Sequence, residues 1–462
     1  MIFEAFIIAF ALLIAGNIAI RIADLRKLQF AYNSALLAAL AAILAYMMFV
    51  NYSAVKLGFI SFNPFSLFVG LLLSIGMLFI NFIAFDYQKQ FEDFALLGSF
   101  VIAGMYAVVF SVNLVTIFLG IELMTLPSVF MILLDRRSLE AGMKMFIMAS
   151  ISIAIFSFAL VLFYGATGSI GLASAGMQKS AMLAFALGLF VVALGFETSV
   201  FPFNVWIPDV YSGAPAYASA MLGGINKKVG FAALMLVFLV AFAGYASSWR
   251  YVIAILSVAT MFYGNLLALK QENVKRMLAY SSISQAGYIL IGLSAASEFG
   301  ATASLVQIFA HAFAFIGLFA IVSWLGLRNR VMIDDFIGLG NENAVAAFAM
   351  SIMMLSLVGM PFTVGFIGKF LLFTGAISGK MLWLALLGIL NSIISIYYYA
   401  RVMVAAYTNK AGAKRLRMGA PTMLVVVLCL AIILFFGIYP SIIINLASSA
   451  GNYLFLPLYG TR

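Results

Sequence analysis

Apolar residues fill this chain in long blocks separated by short polar loops. About fourteen of the blocks approach the ~20 residues that a helix needs to cross a bilayer. They fall roughly at 2–20, 34–52, 65–85, 94–110, 112–134, 145–165, 181–206, 215–245, 251–269, 277–296, 301–326, 343–378, 381–406 and 421–447. The pattern predicts an all-α, polytopic membrane protein. The block at 343–378 is too long for one straight span: it would measure about 54 Å against a hydrocarbon core of ~30 Å. Gly359-Met360-Pro361 lies near its middle and should break it, and a similar break is expected at Pro202. The two sites read alike, Phe201-Pro202-Phe203-Asn204-Val205 against Met360-Pro361-Phe362-Thr363-Val364. Paired interruptions in two halves point to an internal repeat whose site lies at the breaks.

Composition removes the soluble alternatives. The 462 residues are 66% hydrophobic and 9% charged, with mean hydropathy +1.17, more apolar surface than a soluble core absorbs. A net charge of +10 raises nucleic acid as a partner, but the cations are spread through short loops and form no polar domain. Cys429 is the single cysteine, so no disulfide, Fe–S or zinc ligand set is expected from cysteines. The N-terminus lacks a basic leader, and the first apolar block reads as a retained span, with no cleavable signal peptide.

Loop charge gives an orientation. Loops after odd-numbered spans hold sixteen cations: Arg21, Arg26, Lys27, Lys89, Arg136, Arg137, Lys144, Lys270, Lys275, Arg276, Arg328, Arg330, Lys410, Lys414, Arg415 and Arg417. Loops after even-numbered spans hold four, Lys56, Lys179, Arg250 and Lys380. The positive-inside rule then puts both termini outside the cytoplasm.

Five ionisable residues sit where charge is most expensive, deep in apolar blocks: Glu122, Glu197, Lys227, His311 and Lys369. Such residues usually serve a function. Glu122, central in the fifth span, is a carboxyl whose proton affinity its surroundings can tune; the plainer alternative is an ion pair that holds helices together. Lys227 and Lys228 are adjacent, and one helical step turns about 100°, so only one of them faces a given interior path. A buried lysine can release its proton when a neighbouring carboxylate moves away. Lys369 follows the break in the twelfth span, where the alternative is a lysine snorkelling to the interface. His311, the only histidine, titrates near neutrality, with a hydrogen-bonded structural role as its rival. Glu197 precedes Pro202 and either joins a relay beside Lys227 or merely balances it. Lys144 reads first as a loop-edge anchor. Asp334, Asp335 and Lys410 are expected to be solvated, and the many Phe and Met residues carry no assigned chemistry. The chain shows no phosphate loop, dinucleotide fingerprint, cysteine cluster or haem ligand pair.

Three stretches resemble a known family, the antiporter-like membrane subunits of respiratory complex I and its relatives, and within it subunit N, called subunit 2 in mitochondria. Trp206-Ile207-Pro208-Asp209-Val210-Tyr211-Ser212-Gly213-Ala214-Pro215 resembles that subunit's hallmark loop. Lys275-Arg276-Met277-Leu278-Ala279-Tyr280-Ser281-Ser282-Ile283-Ser284-Gln285 resembles its KR–LL–YSSI stretch, and Gly359-Met360-Pro361 through Lys369-Phe370 its broken twelfth helix. The likeness runs from about residue 100 to 400. It implies fourteen helices, two inverted five-helix repeats, and broken helices 7 and 12. The domains expected from it are a three-helix segment at 1–93, a first repeat at 94–245, a second at 246–406, and a last helix and tail at 407–462. Glu122 then matches the family glutamate of helix five, Lys369 the lysine of helix twelve, and Lys144 a lysine starting helix six. Ungapped alignment from Gly213-Ala214-Pro215 puts Lys227, rather than Lys228, at the helix-eight lysine.

Two departures stand out. The family's helix-seven lysine falls at Glu197, so the usual Glu–Lys pair becomes two carboxylates, which can share a proton or jointly hold Lys227. Gln285 stands where some relatives carry a histidine, while His311 resembles a histidine of the sister subunits.

The resemblance implies a proton-translocating membrane-arm subunit of a complex I-like oxidoreductase in the cell membrane. NADH, reduced ferredoxin or reduced deazaflavin is the donor and a quinone-like carrier the acceptor. Flavin, Fe–S clusters and quinone belong to partner subunits, and this chain itself carries no cofactor and no metal. The expected partners are an antiporter-like neighbour, small helical subunits and the lipid bilayer, with no nucleic acid. The rival readings are a subunit of a multisubunit cation/proton antiporter or membrane-bound hydrogenase, and a structural membrane subunit that pumps nothing.

Overall fold

The computed structural model describes residues 2–23, 26–50, 54–86, 91–176, 178–409 and 415–456. Lys89, Lys410 and Lys414 of the loop-charge argument lie outside the described residues. Helices α1 (Ile2–Ala23) and α2 (Arg26–Phe49) are followed by a short antiparallel hairpin, β1 (Val55–Leu57) and β2 (Ile60–Phe62). Then come α3 (Pro64–Phe85), α4 (Phe91–Val109), α5 (Leu114–Leu133), α6 (Leu139–Thr167), α7 (Ala181–Thr198), α8 (Ile207–Gly213), α9 (Ala216–Met221) and α10 (Lys227–Met235). The remainder is α11 (Ala246–Ala268), α12 (Val274–Ser294), α13 (Glu298–Gly326), α14 (Leu339–Glu342), α15 (Ala344–Val358), α16 (Val364–Ser378), α17 (Leu382–Tyr407), α18 (Ala420–Ile438) and α19 (Pro440–Tyr453).

Local chemistry sets many of these ends. Asn63 caps α3 by accepting from the Ser66 amide at 2.9 Å while Ser66 Oγ accepts from the Asn63 amide, with Pro64 opening the helix. Asn113, Asn273, Ser297 and Asn343 cap α5, α12, α13 and α15 in the same sense.

Twelve helical segments among the described residues are long and apolar enough to cross a membrane. α12, with 21 residues, is not one of them, because it carries Ser281, Ser282, Ser284 and Gln285, all fully buried. The expected span at 343–378 is two 15-residue helices, α15 and α16, parted by the predicted break. With α12 and this broken span the expected fourteen are accounted for. At the break Gly359 adopts φ +94°, a left-handed conformation that glycine takes without strain. The amides of Gly359 and Met360 both donate to the Leu355 carbonyl at 3.0 Å and end α15. The earlier break runs from Ser199 to Trp206 and contains a cis Phe201-Pro202 bond.

Several boundaries differ from the reading of the sequence. Residues 207–213 of the presumed loop form helix α8, with Pro208 in its first turn, where a missing amide costs nothing. The last span divides into α18 and α19 because Pro440 cannot donate to the preceding turn. α6 begins at Leu139, so Lys144 lies inside a helix. Asp335 is not simply solvated: its carboxylate accepts from the amides of Val331 and Met332 at 3.0 and 2.9 Å.

The chain forms two compact units. One comprises Met1–Thr198, Ile225–Trp249 and Leu446–Arg462; the other comprises Ser199–Gly224 and Arg250–Asn445. In the first, α4 and α5 approach so closely that a Cβ on Gly120 would lie 2.8 Å from the Gly104 carbonyl oxygen. Asn17, Asn33 and Asn81 are buried and bond in series across α1, α2 and α3. In the second unit α13 is the central helix, buried along most of its length and surrounded by α9, α12, α15, α16 and α18.

Candidate proton-relay site

In the first unit, Glu122 projects from the middle of α5 and Glu197 from the last turn of α7, both half-buried. Together with the hydroxyl-bearing Thr125 and Ser150 they line one cavity of about 20 Å³, room for a single water. Glu197, the departing carboxylate, therefore faces one small space together with Glu122, and Ile121, Leu126, Val129, Phe146 and Ile153 line much of the rest. A turn further along α5, Ser128 Oγ donates to the Met124 carbonyl (2.7 Å) and accepts from Asn226 Nδ2 (2.8 Å), which fixes the start of α10 against α5.

Lys227 and Lys228 open α10, 3% and 0% exposed, immediately after a π-helical turn at Leu222–Asn226. Such turns insert an extra residue and re-aim the helix beyond them. Gly230 rests on Glu197: a Cβ there would lie 3.0 Å from the Glu197 Cβ. Lys227, three residues earlier, shares the Gly230 face, while Lys228 is rotated about 100° from Lys227. Lys144 is half-exposed, pairs with Glu140 one turn away at 2.7 Å, and does not line the Glu122–Glu197 cavity.

In the second unit the broken helix builds the site. Ending α15 strips its last carbonyls of helical donors, and side chains take their place. Lys369 Nζ donates to the Val358 carbonyl at 2.8 Å and Gln285 Nε2 to the Leu357 carbonyl at 2.9 Å. A cation at a helix C-terminus is favoured by the helix dipole as well as by the bond. Lys369, 3% exposed, also donates to Ser392 Oγ at 3.0 Å and lies 4.1 Å above the Tyr288 ring. Gln307 donates to Gln285 Oε1 at 2.9 Å, and Gly368 approaches Gln307 so closely that no side chain fits there. His311, 1% exposed and stacked on Phe315, follows Gln307 by one turn on α13 and so shares its face. The two other motif stretches lock to one another here: Arg276 pairs with Asp209 at 2.7 Å, and Lys275 donates to the Ala214 carbonyl at 2.6 Å.

The ionisable residues singled out in the sequence thus fall into two groups, Glu122, Glu197, Lys227 and Lys228 in one unit and His311 and Lys369 in the other. The neutral partners, Thr125, Tyr288, Gln307, Asn391 and Ser392, were not foreseen. Their one signal was polarity inside an apolar block, which dozens of other residues share.

The family described as NADH:quinone oxidoreductase/Mrp antiporter, transmembrane, matches residues 111–395. The chain belongs to this family. NADH-quinone oxidoreductase subunit N of Trichlorobacter lovleyi is 38% identical over 366 residues, covering 76% of this chain and 75% of the relative. F420H2 dehydrogenase subunit N of Methanosarcina mazei is 33% identical over 389 residues, covering 80% and 78%. A chain of respiratory complex I from Thermus thermophilus with bound aureothin superposes with a TM-score of 0.84 at 27% identity, covering 96% of this chain and 99% of that one. The family match begins just before α5 and ends within α17, so it contains every ionisable residue of both groups.

Proposed function

We propose that this chain is a proton-translocating membrane-arm subunit of a complex I-like oxidoreductase in the cell membrane. Its relay residues are Glu122, Glu197, Lys227, His311 and Lys369, with lesser roles for Lys144 and Lys228. The observation that carries this reading is the near-complete burial of three basic side chains, Lys227, His311 and Lys369, in apolar helical segments of a membrane bundle. Charge held at that depth is costly, and residues that carry it usually serve a function. Family membership and relatives named subunit N support an assembly with other membrane-arm subunits; we place antiporter-like and small helical subunits among them, with flavin, Fe–S clusters and quinone in other chains. The Methanosarcina mazei relative, named for F420H2, keeps a deazaflavin donor beside NADH and ferredoxin.

Electron transfer in the partner subunits shifts charge along the membrane arm and brings carboxylates towards or away from Lys227, so that this lysine alternately holds and releases a proton. Protons enter from the cytoplasm, pass Lys227 and His311, and leave outward at Lys369. The loop-charge bias supports this direction, with both termini outside. The similar breaks at Pro202 and Pro361 support repeats at 94–245 and 246–406. Glu122 and Glu197, sharing a one-water cavity, act as a pair that exchanges a proton or jointly stabilises Lys227.

Lys227→Ala in the assembled complex is expected to lower the protons pumped per electron pair by this subunit's whole share, because losing a proton-transfer group slows its step by roughly 10²–10⁴. An unchanged ratio refutes the role. The family also takes in Mrp antiporters, which supports a cation/proton antiporter subunit as the second reading. Identifying the peripheral subunits that co-purify with the chain separates the two.

A further inference from the structure

An ammonium group has three N–H donors and no acceptor, and around Lys369 each direction has a partner. Val358 offers a carbonyl at 2.8 Å, Ser392 a hydroxyl at 3.0 Å, and Tyr288 the face of its ring at 4.1 Å. The first two are ordinary hydrogen bonds. The third is different in kind: a desolvated cation over an aromatic face is held by the negative charge of the π cloud.

The ring is not a chance neighbour. Tyr288 is fully buried on α12, and its hydroxyl accepts from Ser392 Oγ at 3.0 Å and from Asn391 Nδ2 at 3.1 Å. Phe373 abuts it edge-on at 6.4 Å. The Ser392 oxygen that receives the lysine therefore also donates to the tyrosine, and Lys369, Ser392 and Tyr288 close a three-membered ring. A Leu fills space at such a position, but neither offers a π face nor ties itself to Ser392. The neighbouring Asn391 hangs from the same frame, since its carbonyl accepts from Asn265 Nδ2 at 2.8 Å.

We infer that Tyr288 is a positioning residue for Lys369: its ring face holds the ammonium against the broken end of α15, and its hydroxyl keeps the ring from turning away. The inference rests on the reading of Lys369 as a relay group. It assigns to a neutral aromatic the task of deciding where the charged lysine rests between proton transfers. Without it, the ammonium keeps two acceptors and loses the ring face 4.1 Å away.

The test is a series at position 288 in the intact membrane complex, with protons per electron pair read against the redox rate. It comprises Tyr288→Phe, phenylalanines carrying one, two and three ring fluorines, and Tyr288→Leu. Fluorines withdraw electrons from the ring face with little change in shape. The coupling ratio is expected to fall stepwise with each fluorine, to fall less for Tyr288→Phe than for Tyr288→Leu, and to span on the order of tenfold in the Lys369-dependent part. A flat fluorine series overturns the inference, because a ring that only fills space does not respond to its electron density. Should Tyr288→Leu fail to assemble, the fluorinated series still decides. Lys369→Met separates the two levels: if it leaves pumping intact the relay reading itself fails, whereas loss of pumping with a flat series removes only the role of Tyr288.

Discussion

Replacing Lys369 by methionine is expected to abolish proton transfer through the helix break while preserving the length and bulk of the side chain. The substitution removes a titratable group bonded to the broken end of α15. A proton-transfer step without its acid–base group slows by roughly 10²–10⁴. It also leaves the Val358 carbonyl buried without its donor, a cost of about 1–3 kcal/mol, so the variant should assemble with lowered thermal stability. Lys369→Arg makes the sharper comparison. Arginine keeps the positive charge and its attraction to the helix end, but it does not surrender a proton in a protein. Both variants should therefore lower protons per electron pair to the same floor, measured by dye quenching in sealed vesicles and normalised to redox turnover. If Lys369→Arg pumps like the unmodified complex, a fixed charge suffices at this position and the relay reading of Lys369 is wrong.

How much of the molecule was legible in the sequence depends on how each feature is encoded. Apolar blocks report spans directly, because every residue of a lipid-facing helix contributes to the same signal. Gly359-Met360-Pro361 reported its break because a proline without an amide and a glycine free to take φ +94° act locally. Lys227, His311 and Lys369 stood out because charge in apolar surroundings is rare and costly. The rest depends on distant partners. Residues 207–213 read as a loop because they fall between two apolar blocks and resemble the family's loop, but Arg276 and Lys275, more than sixty residues on, hold that segment by Asp209 and Ala214. Ser392 and Tyr288 lie 104 residues apart, and nothing in either neighbourhood announces the other. Gln285 was visible as a departure from the family pattern, yet its use became visible only with the fold. It donates to a carbonyl that the helix break had stripped, a need created 72 residues away.

The second large effect is expected at Gly359, where backbone and lysine are coupled. Gly359→Val puts a β-branched residue at φ +94°, in a region that disfavours any Cβ by about 1–2 kcal/mol and a branched one more. The new Cβ would also lie 2.9 Å from Lys369 Cδ. A flexible lysine would ordinarily swing aside, but this one is pinned at its far end by Val358 and Ser392. Relief of the clash therefore means breaking one of those bonds or unwinding the cap in which Gly359 and Met360 donate to Leu355. The expected result is a loss of about 2–4 kcal/mol in stability, from strain plus overpacking, with proton pumping reduced towards the Lys369→Met floor. Gly359→Asn resolves the two contributions, since asparagine tolerates the left-handed backbone but brings the same Cβ. It should recover much of the thermal stability and little of the pumping. If pumping instead returns in step with stability, the glycine serves only the turn, and the position of Lys369 does not depend on it.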